Sequence, residues 1–438
     1  MFATAWAVGN AVAKSDKLSL EQRDAILQFV AFPGLIRETL IRSTKFSLSD
    51  PVDLLHNRKE TERPSWVRRF PAPEDSGYLL FSGVDPKIKQ SVIQLIQISD
   101  GHVLATWKPD WNFIYERVID NKFQKKGTVG TARAQHPILL PNGDLIFNAS
   151  SSLVRVRVCD AQPIWVLNGF FHHSIEFGEN GEIWSPSISD DGFSDNHHLR
   201  DQIRDDAIAK ISIEGQLLEK VSFSNILRKN GFEALLMGTS GWLFNVDPIH
   251  MNQISVAFNS TDYWWRGDLL ISSRHLSTVF LYRPSTGKII WHQTGPWMNQ
   301  HSVAFVGDHK ISVFDNHVYS GAPGKQPFLV PGDINHVMIY DFSTGQVTEP
   351  FASLLLDARP ITMSEGRAQL LSDGGLFVEE SNFGRHLRFT KDRLLWSRVN
   401  DYDDFNIGRV SWSRYLSPEE VKAPLQAISG RNCSRSGL

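Results

Sequence analysis

The chain has 438 residues, 41% hydrophobic and 21% charged, a globular composition with ample material for a core. Forty-five Lys and Arg against 48 Asp and Glu give a formal net charge of −3, which excludes the basic footprint of a nucleic-acid-binding protein. Only two cysteines occur, Cys159 and Cys433, which excludes a disulfide framework and a CxxC metal site and leaves two free thiols as the expectation.

Residues 1–12, MFATAWAVGNAV, are too short to span a bilayer, which takes about 20 apolar residues, and they lack the basic start of a secretory signal. Two readings stand: an amphipathic or disordered start, and the remnant of a membrane anchor. Ser19-Leu-Glu-Gln22 fits a capping box opening a helix to about Val30, and Pro33 can begin a second helix to about Arg42. Residues 57–72, with two prolines and many charges, read as a linker. The expected organisation is a helical N-terminal segment over 1–75, a repeat domain over 76–422 and a tail over 423–438.

From Gly77 on, a hairpin recurs: an apolar strand, a polar turn and a second apolar strand. The copies are IQLIQISDGHVLATW, SLVRVRVCDAQPIWVL, AIAKISIEGQLLEK, TVFLYRPSTGKIIW, VMIYDFSTGQVTEP and HLRFTKDRLLWSRV. Their turns align at Gly101, Ala161, Gly215, Gly287, Gly345 and Asp392, with gaps of 60, 54, 72, 58 and 47 residues. Propeller blades repeat at roughly 40–50 residues, and longer gaps are insertions in loops. The expectation is therefore an all-β, six-bladed β-propeller with a short helical N-terminal extension; the 13 Trp and 27 Phe suit the spaces between packed sheets.

A second element precedes several hairpins, a polar opening with a histidine. It appears as Gln135-His136, His172-His173-Ser174, Ile249-His250-Met-Asn252 and Asn299-Gln300-His301, while the last unit opens at Arg367-Ala-Gln369 without one. The first unit is the least regular. In a propeller such openings run along the innermost strands and meet near the axis. Four histidines at matching places in four units favour a shared site over four local hydrogen-bonders. The Asp-rich insertion over 185–206, with His197 and His198, and the run Asp401–Asp404 carry metal-ligand types, but read better as solvated loops.

The stretch from Asp247 to Asn316 contains DPIHMN, GDLLISSRH, STGKIIWHQTG, QHSVAF and VFDNH. In this order these pieces resemble the arylsulfotransferase family that works without a nucleotide sulfate donor. The resemblance is good from about residue 130 to 317. It implies a six-bladed propeller that moves a sulfuryl group from an aryl sulfate to a phenol through a sulfated histidine, with no cofactor and no metal. It assigns His301 as the nucleophile, His250 and Arg274 as groups that bind and polarise the sulfuryl group, and the His172-His173 pair as a further family histidine. His173 is preferred, because it precedes Ser174 as His301 precedes Ser302. Asn252, two residues along a strand from His250, can share its face and joins His136 as a substrate-binding candidate. Asp247, Asp315 and Asn316 read as turn and capping residues, and His275, His292 and His317 as structural or exposed. Family members are often exported, so the resemblance favours a periplasmic or membrane-anchored protein.

The residue types suit the chemistry. A sulfuryl group is compact and anionic, and Arg offers it a permanent charge and a planar fork of donors. A neutral imidazole is a competent nucleophile, and a second one can handle the phenol's proton, whose pKa is about 10. The rival reading is a non-catalytic propeller that binds a protein or a small anion. A nucleotide-dependent sulfotransferase would need a GxxxxGK[ST] loop, which does not occur, and no site for a redox cofactor is found.

Overall fold

The structure is a computed structural model that describes residues 51–64, 66–119, 127–158, 160–189, 192–193, 203–238, 246–319, 328–330 and 332–430. The expected N-terminal helices and anchor, Cys159, His197, His198 and Cys433 lie outside the described residues.

Six four-stranded antiparallel sheets form six blades. Blade 1 runs, from the inside out, Arg414–Leu416, Tyr78–Asp85, Gln90–Gln97, Val103–Trp107; blade 2, Gln135–Leu139, Leu145–Ala149, Ser152–Val156, Pro163–Asn168. Blade 3 is Glu176–Phe177, Ile183–Ser189, Asp205–Ile211, Leu217–Ser222; blade 4, Met251–Val256, Leu269–Ser273, Thr278–Arg283, Lys288–Thr294. Blade 5 is Val303–Val306, Lys310–Asp315, His336–Asp341, Gln346–Thr348; blade 6, Arg367–Leu370, Leu376–Glu380, Arg385–Phe389, Leu394–Val399. The six hairpins of the sequence are the outer two strands of the six blades. Their aligned turn residues adopt left-handed backbone at Gly101, Ala161, Gly215, Gly287 and Gly345. The sixth turn closes differently, by the Thr390 N–H donating to the Arg393 carbonyl at 2.9 Å.

The first unit is irregular for a topological reason. Its inner strand comes from the other end of the chain, as Arg414–Leu416 pairs with Tyr78–Leu80. This closes the ring and leaves no open edge between blades 6 and 1.

Burial follows position in the blade. In blade 4 all of Leu269–Ser273 is buried, whereas Lys288–Thr294 alternates exposed and half-buried. Middle strands have neighbouring blades on both faces and so carry continuous apolar runs. Six hydrophobic clusters fill the six gaps, one per neighbouring pair: Leu80 and Phe147 between blades 1 and 2, Ile146 and Ile183 between 2 and 3, Ile208 and Ile271 between 3 and 4, Leu270 and Ile311 between 4 and 5, Phe314 and Val378 between 5 and 6, Phe81 and Phe377 between 6 and 1.

Two expectations at the edges change. The segment read as a linker is folded against the end of blade 6. Leu55–Asn57 pairs with Asn406–Gly408, and Arg58 and Arg68 reach Asp401 at 2.7 and 2.6 Å. Arg58, Glu62 and Arg68, three of the charges that made it read as a spacer, and Asp401 of the acidic run are paired. The expected boundary at 422/423 falls inside a helix, Pro418–Gly430, whose Val421 and Ile428 join the core between blades 1 and 2. Ser417 caps that helix with its N–H and Oγ both donating to Glu420 Oε2 at 2.7 Å. No helix among the described residues is long and apolar enough to cross a membrane.

Candidate active site

Each inner strand is entered through a residue in the left-handed region that is not glycine. These are His136, His173, His250, Asn299, Glu365 and Trp412, with φ of 51°, 56°, 50°, 54°, 63° and 57°. Such a conformation costs a side-chain-bearing residue on the order of 1–2 kcal/mol. Its occurrence in all six units marks a constraint of the repeat, and it turns several of these side chains toward the axis.

The aromatic and imidazole rings form a continuous cluster there. His136 stacks on Trp412 at 4.2 Å between centroids; Trp412 lies 5.8 Å from His173, and His173 lies 5.1 Å from His250 and 6.3 Å from His301. His275 continues the line, 4.3 Å from His250. The structure thus brings His136, His173, His250 and His301 together, as the matching repeat positions predict.

His301, His250 and His275 are each oriented by a hydrogen-bonding neighbour. His301 places Nδ1 2.5 Å from Asn316 Oδ1, and its Nε2 accepts the Glu365 backbone N–H at 2.8 Å. An amide oxygen can only accept, so the Nδ1 carries the proton and Nε2 the lone pair. Burial, then the charge of Arg274, holds the His301 imidazole well below its ordinary value, so it is neutral. His250 places Nδ1 2.5 Å from Asp247 Oδ2. Burial alone would raise Asp247, but this pairing, with Arg204 at 3.5 Å, pulls its carboxyl well below the ordinary range. Arg274 donates from one terminal nitrogen to His275 Nε2 at 2.9 Å, while its Nε is buried without an acceptor among the described residues. His275 in turn gives Nδ1 to the Asp247 carbonyl at 2.5 Å.

Asp247, His250 and His275 bring ligand-type atoms within 4.8 Å of one another. Those atoms are committed to hydrogen bonds, and the Arg274 guanidinium sits on His275. A permanent positive charge at that distance favours an anion over a metal cation.

Asn252 does not join the ring cluster. Its Nδ2 donates to the Gln300 carbonyl at 3.0 Å, tying blade 4 to blade 5. His136 is buried with neither ring nitrogen hydrogen-bonded among the described residues, and its contact is the Trp412 face. Of the residues read as turn and capping groups, Asp315 does cap, accepting the Met298 and His317 N–H groups at 2.8 Å. Asp247 and Asn316 do more, since they set the tautomers of His250 and His301. His275, read as structural or exposed, links Arg274 to Asp247. Trp412 and Glu365 were missed because neither follows the histidine pattern; the place of Glu365 in the repeat was an available signal, whereas Trp412 enters blade 1 only through ring closure.

A sequence profile of the arylsulfotransferase family (ASST) matches residues 136–400, well over half of the chain and nearly all of blades 2 to 6. The chain belongs to the arylsulfotransferase family. No curated protein matches it. Among solved structures it is similar to a Bacteroides caccae protein of unknown function, at 12% identity and TM-score 0.46 over 78% of this chain and 99% of that one. It is also similar to hydrazine synthase of Kuenenia stuttgartiensis, at 12% identity and TM-score 0.40 over 74% and 79%, and to the periplasmic gluconolactonase of Pseudomonas aeruginosa, at 11% identity and TM-score 0.39 over 78% and 99%. None of these three likenesses bears on what this arylsulfotransferase-family chain does.

Proposed function

We propose that the protein transfers a sulfuryl group from an aryl sulfate to a phenolic acceptor through a covalent intermediate on His301. The observation that carries this reading is a buried, neutral His301 whose Nδ1 proton is fixed on Asn316, so that the lone pair stands on Nε2 beside Arg274 and His250. Nε2 attacks sulfur, the bond from sulfur to the aryl oxygen breaks, and the phenol's oxygen leaves with the electron pair. The acceptor phenol then occupies the vacated place, its oxygen attacks sulfur, and the pair of the N–S bond returns to Nε2. Arg274 supplies donors to the sulfuryl oxygens, and His250, held by Asp247, polarises the group from the other side.

The Glu365 N–H has a part in this scheme. In the free protein it occupies the lone pair that must attack. A sulfur bonded to Nε2 takes the direction of that hydrogen bond, so the Glu365 peptide moves aside before transfer.

The test needs donor alone. Incubation with an aryl sulfate and no acceptor is expected to add a sulfuryl-sized mass to the His301 peptide, and steady-state kinetics with both substrates to give parallel double-reciprocal lines. His301→Asn is expected to abolish both. If His301→Asn consumes the donor at the normal rate, His301 is not the nucleophile. If the unaltered chain binds aryl sulfates without consuming them, the protein is an anion-binding propeller.

A further inference from the structure

Behind His173 stand a second imidazole and a carboxylate that the steps above do not use. His172 Nδ1 lies 2.8 Å from His173 Nδ1, and His172 Nε2 lies 3.3 Å from Asp206 Oδ1. Asp206 is fully buried; burial opposes its charge, but Arg204 at 3.1 Å and His172 hold it below the ordinary carboxylate range. It also accepts the Met251 N–H. The approach of His172 Nε2 to Asp206 is not aligned as a hydrogen bond, but the negative charge of a carboxylate at 3.3 Å favours an N–H on the nearer nitrogen, so His172 carries its proton on Nε2 and presents a lone pair at Nδ1. Two facing nitrogens at hydrogen-bond distance need one proton between them, which places a proton on His173 Nδ1. The lone pair of His173 therefore stands on Nε2, on the ring that packs against His250, His301 and Trp412.

We propose that Asp206, His172 and His173 form a proton relay for the acceptor half of the reaction, in which His173 Nε2 takes the phenol's proton while His173 Nδ1 passes its own to His172. The inference rests on the sulfuryl-transfer reading. As the phenol O–H bond breaks, its oxygen forms the bond to sulfur and the N–S bond opens toward His301 Nε2. The positive charge then resides on His172, beside the Asp206 carboxylate, rather than on His173 among three other imidazoles. Run backwards, the same chain delivers a proton to a departing phenolate. His173 touches substrate; His172 and Asp206 are positioning residues that act through it.

The groups around the relay favour a neutral resting state. Arg204 and Asp205 adjoin Asp206 along the chain, Asp247 and His250 act on the relay from the entry to blade 4, and His301 acts on it from the entry to blade 5. Burial, then Arg204, lowers His172, and burial, then His172 and His250, lowers His173, so both imidazoles rest neutral near pH 7.

The test uses the full chain with two substitutions. His172→Asn keeps an acceptor for the His173 Nδ1 proton but cannot pass it on, and His172→Phe removes both functions. Rapid quenching with a nitrophenyl sulfate reads the donor step, and decay of the sulfated enzyme on adding phenols of graded acidity reads the acceptor step. In His172→Asn the acceptor step is expected to slow by about 10²-fold, within the range a general base supplies, with a larger loss for weakly acidic phenols than for acidic ones. The sulfation burst should keep its amplitude. Nitrogen-15 spectra of the free protein are expected to show His172 protonated at Nε2 and His173 at Nδ1. Equal slowing across phenols of all acidities, the opposite tautomers, or a normal acceptor step in His172→Phe would overturn the relay and leave the sulfated histidine standing. A chain that shows no burst with any aryl sulfate overturns the sulfuryl-transfer reading and the relay with it.

Discussion

Arg274 is buried yet gives one terminal nitrogen to His275 and leaves its Nε without an acceptor among the described residues. A buried donor without a partner costs about 1–3 kcal/mol, and burial lowers the Arg274 pKa below its ordinary value. In the proposed reaction a bound sulfuryl group would supply the missing acceptor. Arg274→Lys keeps the charge but loses the fork, so kcat/KM for an aryl sulfate is expected to fall by about 10²-fold, as for removal of one oxyanion donor. Near-normal turnover would remove Arg274 from the site. The same guanidinium affects the proposed nucleophile, since burial first and Arg274 second push His301 below its ordinary pKa of 6.5. A lowered pKa means that the neutral, reactive imidazole persists on acidification through 6.5, and the acid limb of donor-dependent sulfation is expected to lie below that value. A limb centred at or above 6.5 in single-turnover measurements would contradict a buried neutral nucleophile. The stability term has the same sense: with the folded pKa below the unfolded one, the contribution of His301 is complete above 6.5 and is lost as pH falls below it.

The inner strand, entered through its left-handed residue, is the unit that builds the site, and it was only half legible in the sequence. The outer hairpins could be read directly, because period-2 apolar runs and a glycine at four of the six aligned turns are local signals. The histidines could be read because they recur. Trp412 and Arg414 could not, because they belong to blade 1 only through ring closure, and nothing local pairs residue 414 with residue 80. The tautomer-setting roles of Asn316 and Asp247 were hidden for a related reason: Asn and Asp beside a turn are most often capping groups, and only the fold places them against an imidazole. The helix Pro418–Gly430 did carry a signal, the Ser417 to Glu420 spacing with Pro418 at the first helical position. The Glu365 turn also depends on a partner distant in sequence. Arg133 donates to both Glu365 carboxylate oxygens, one at 2.8 Å, with the two side chains 17% and 14% exposed. Arg133→Met leaves a largely buried carboxylate unpaired, which costs about 3–5 kcal/mol, whereas replacing both partners is often close to neutral. Chemical denaturation is expected to show that loss in Arg133→Met and to recover more than half of it in the double variant with Glu365→Met. Equal stability of the single variant and the unaltered chain would mean that the pair does not hold the turn.

For the whole molecule, the ring closes through a short stretch of chain. Arg414–Leu416 supplies the inner strand of blade 1, and Arg414 donates to the Pro137 carbonyl of blade 2 at 2.8 Å and to Glu176 of blade 3 at 2.9 Å. Trp412 stacks on His136 of blade 2, and Val421 and Ile428 fill the core between blades 1 and 2. Fully buried apolar side chains contribute about 1.5–3 kcal/mol each, so Trp412, Val421 and Ile428 together represent a large part of a typical total stability of about 5–15 kcal/mol. The backbone of Tyr78–Leu80 would in addition lose its partners and become an exposed edge. A chain that stops after Ser411 is therefore expected to lose its cooperative thermal transition and to bind aryl sulfate no better than the unfolded protein, although it keeps His173, His250, Arg274 and His301. Circular dichroism melting decides the point. A chain ending at Ser411 that melts as sharply and as high as the full one would show that the six cores between blades hold the propeller without closure of the ring.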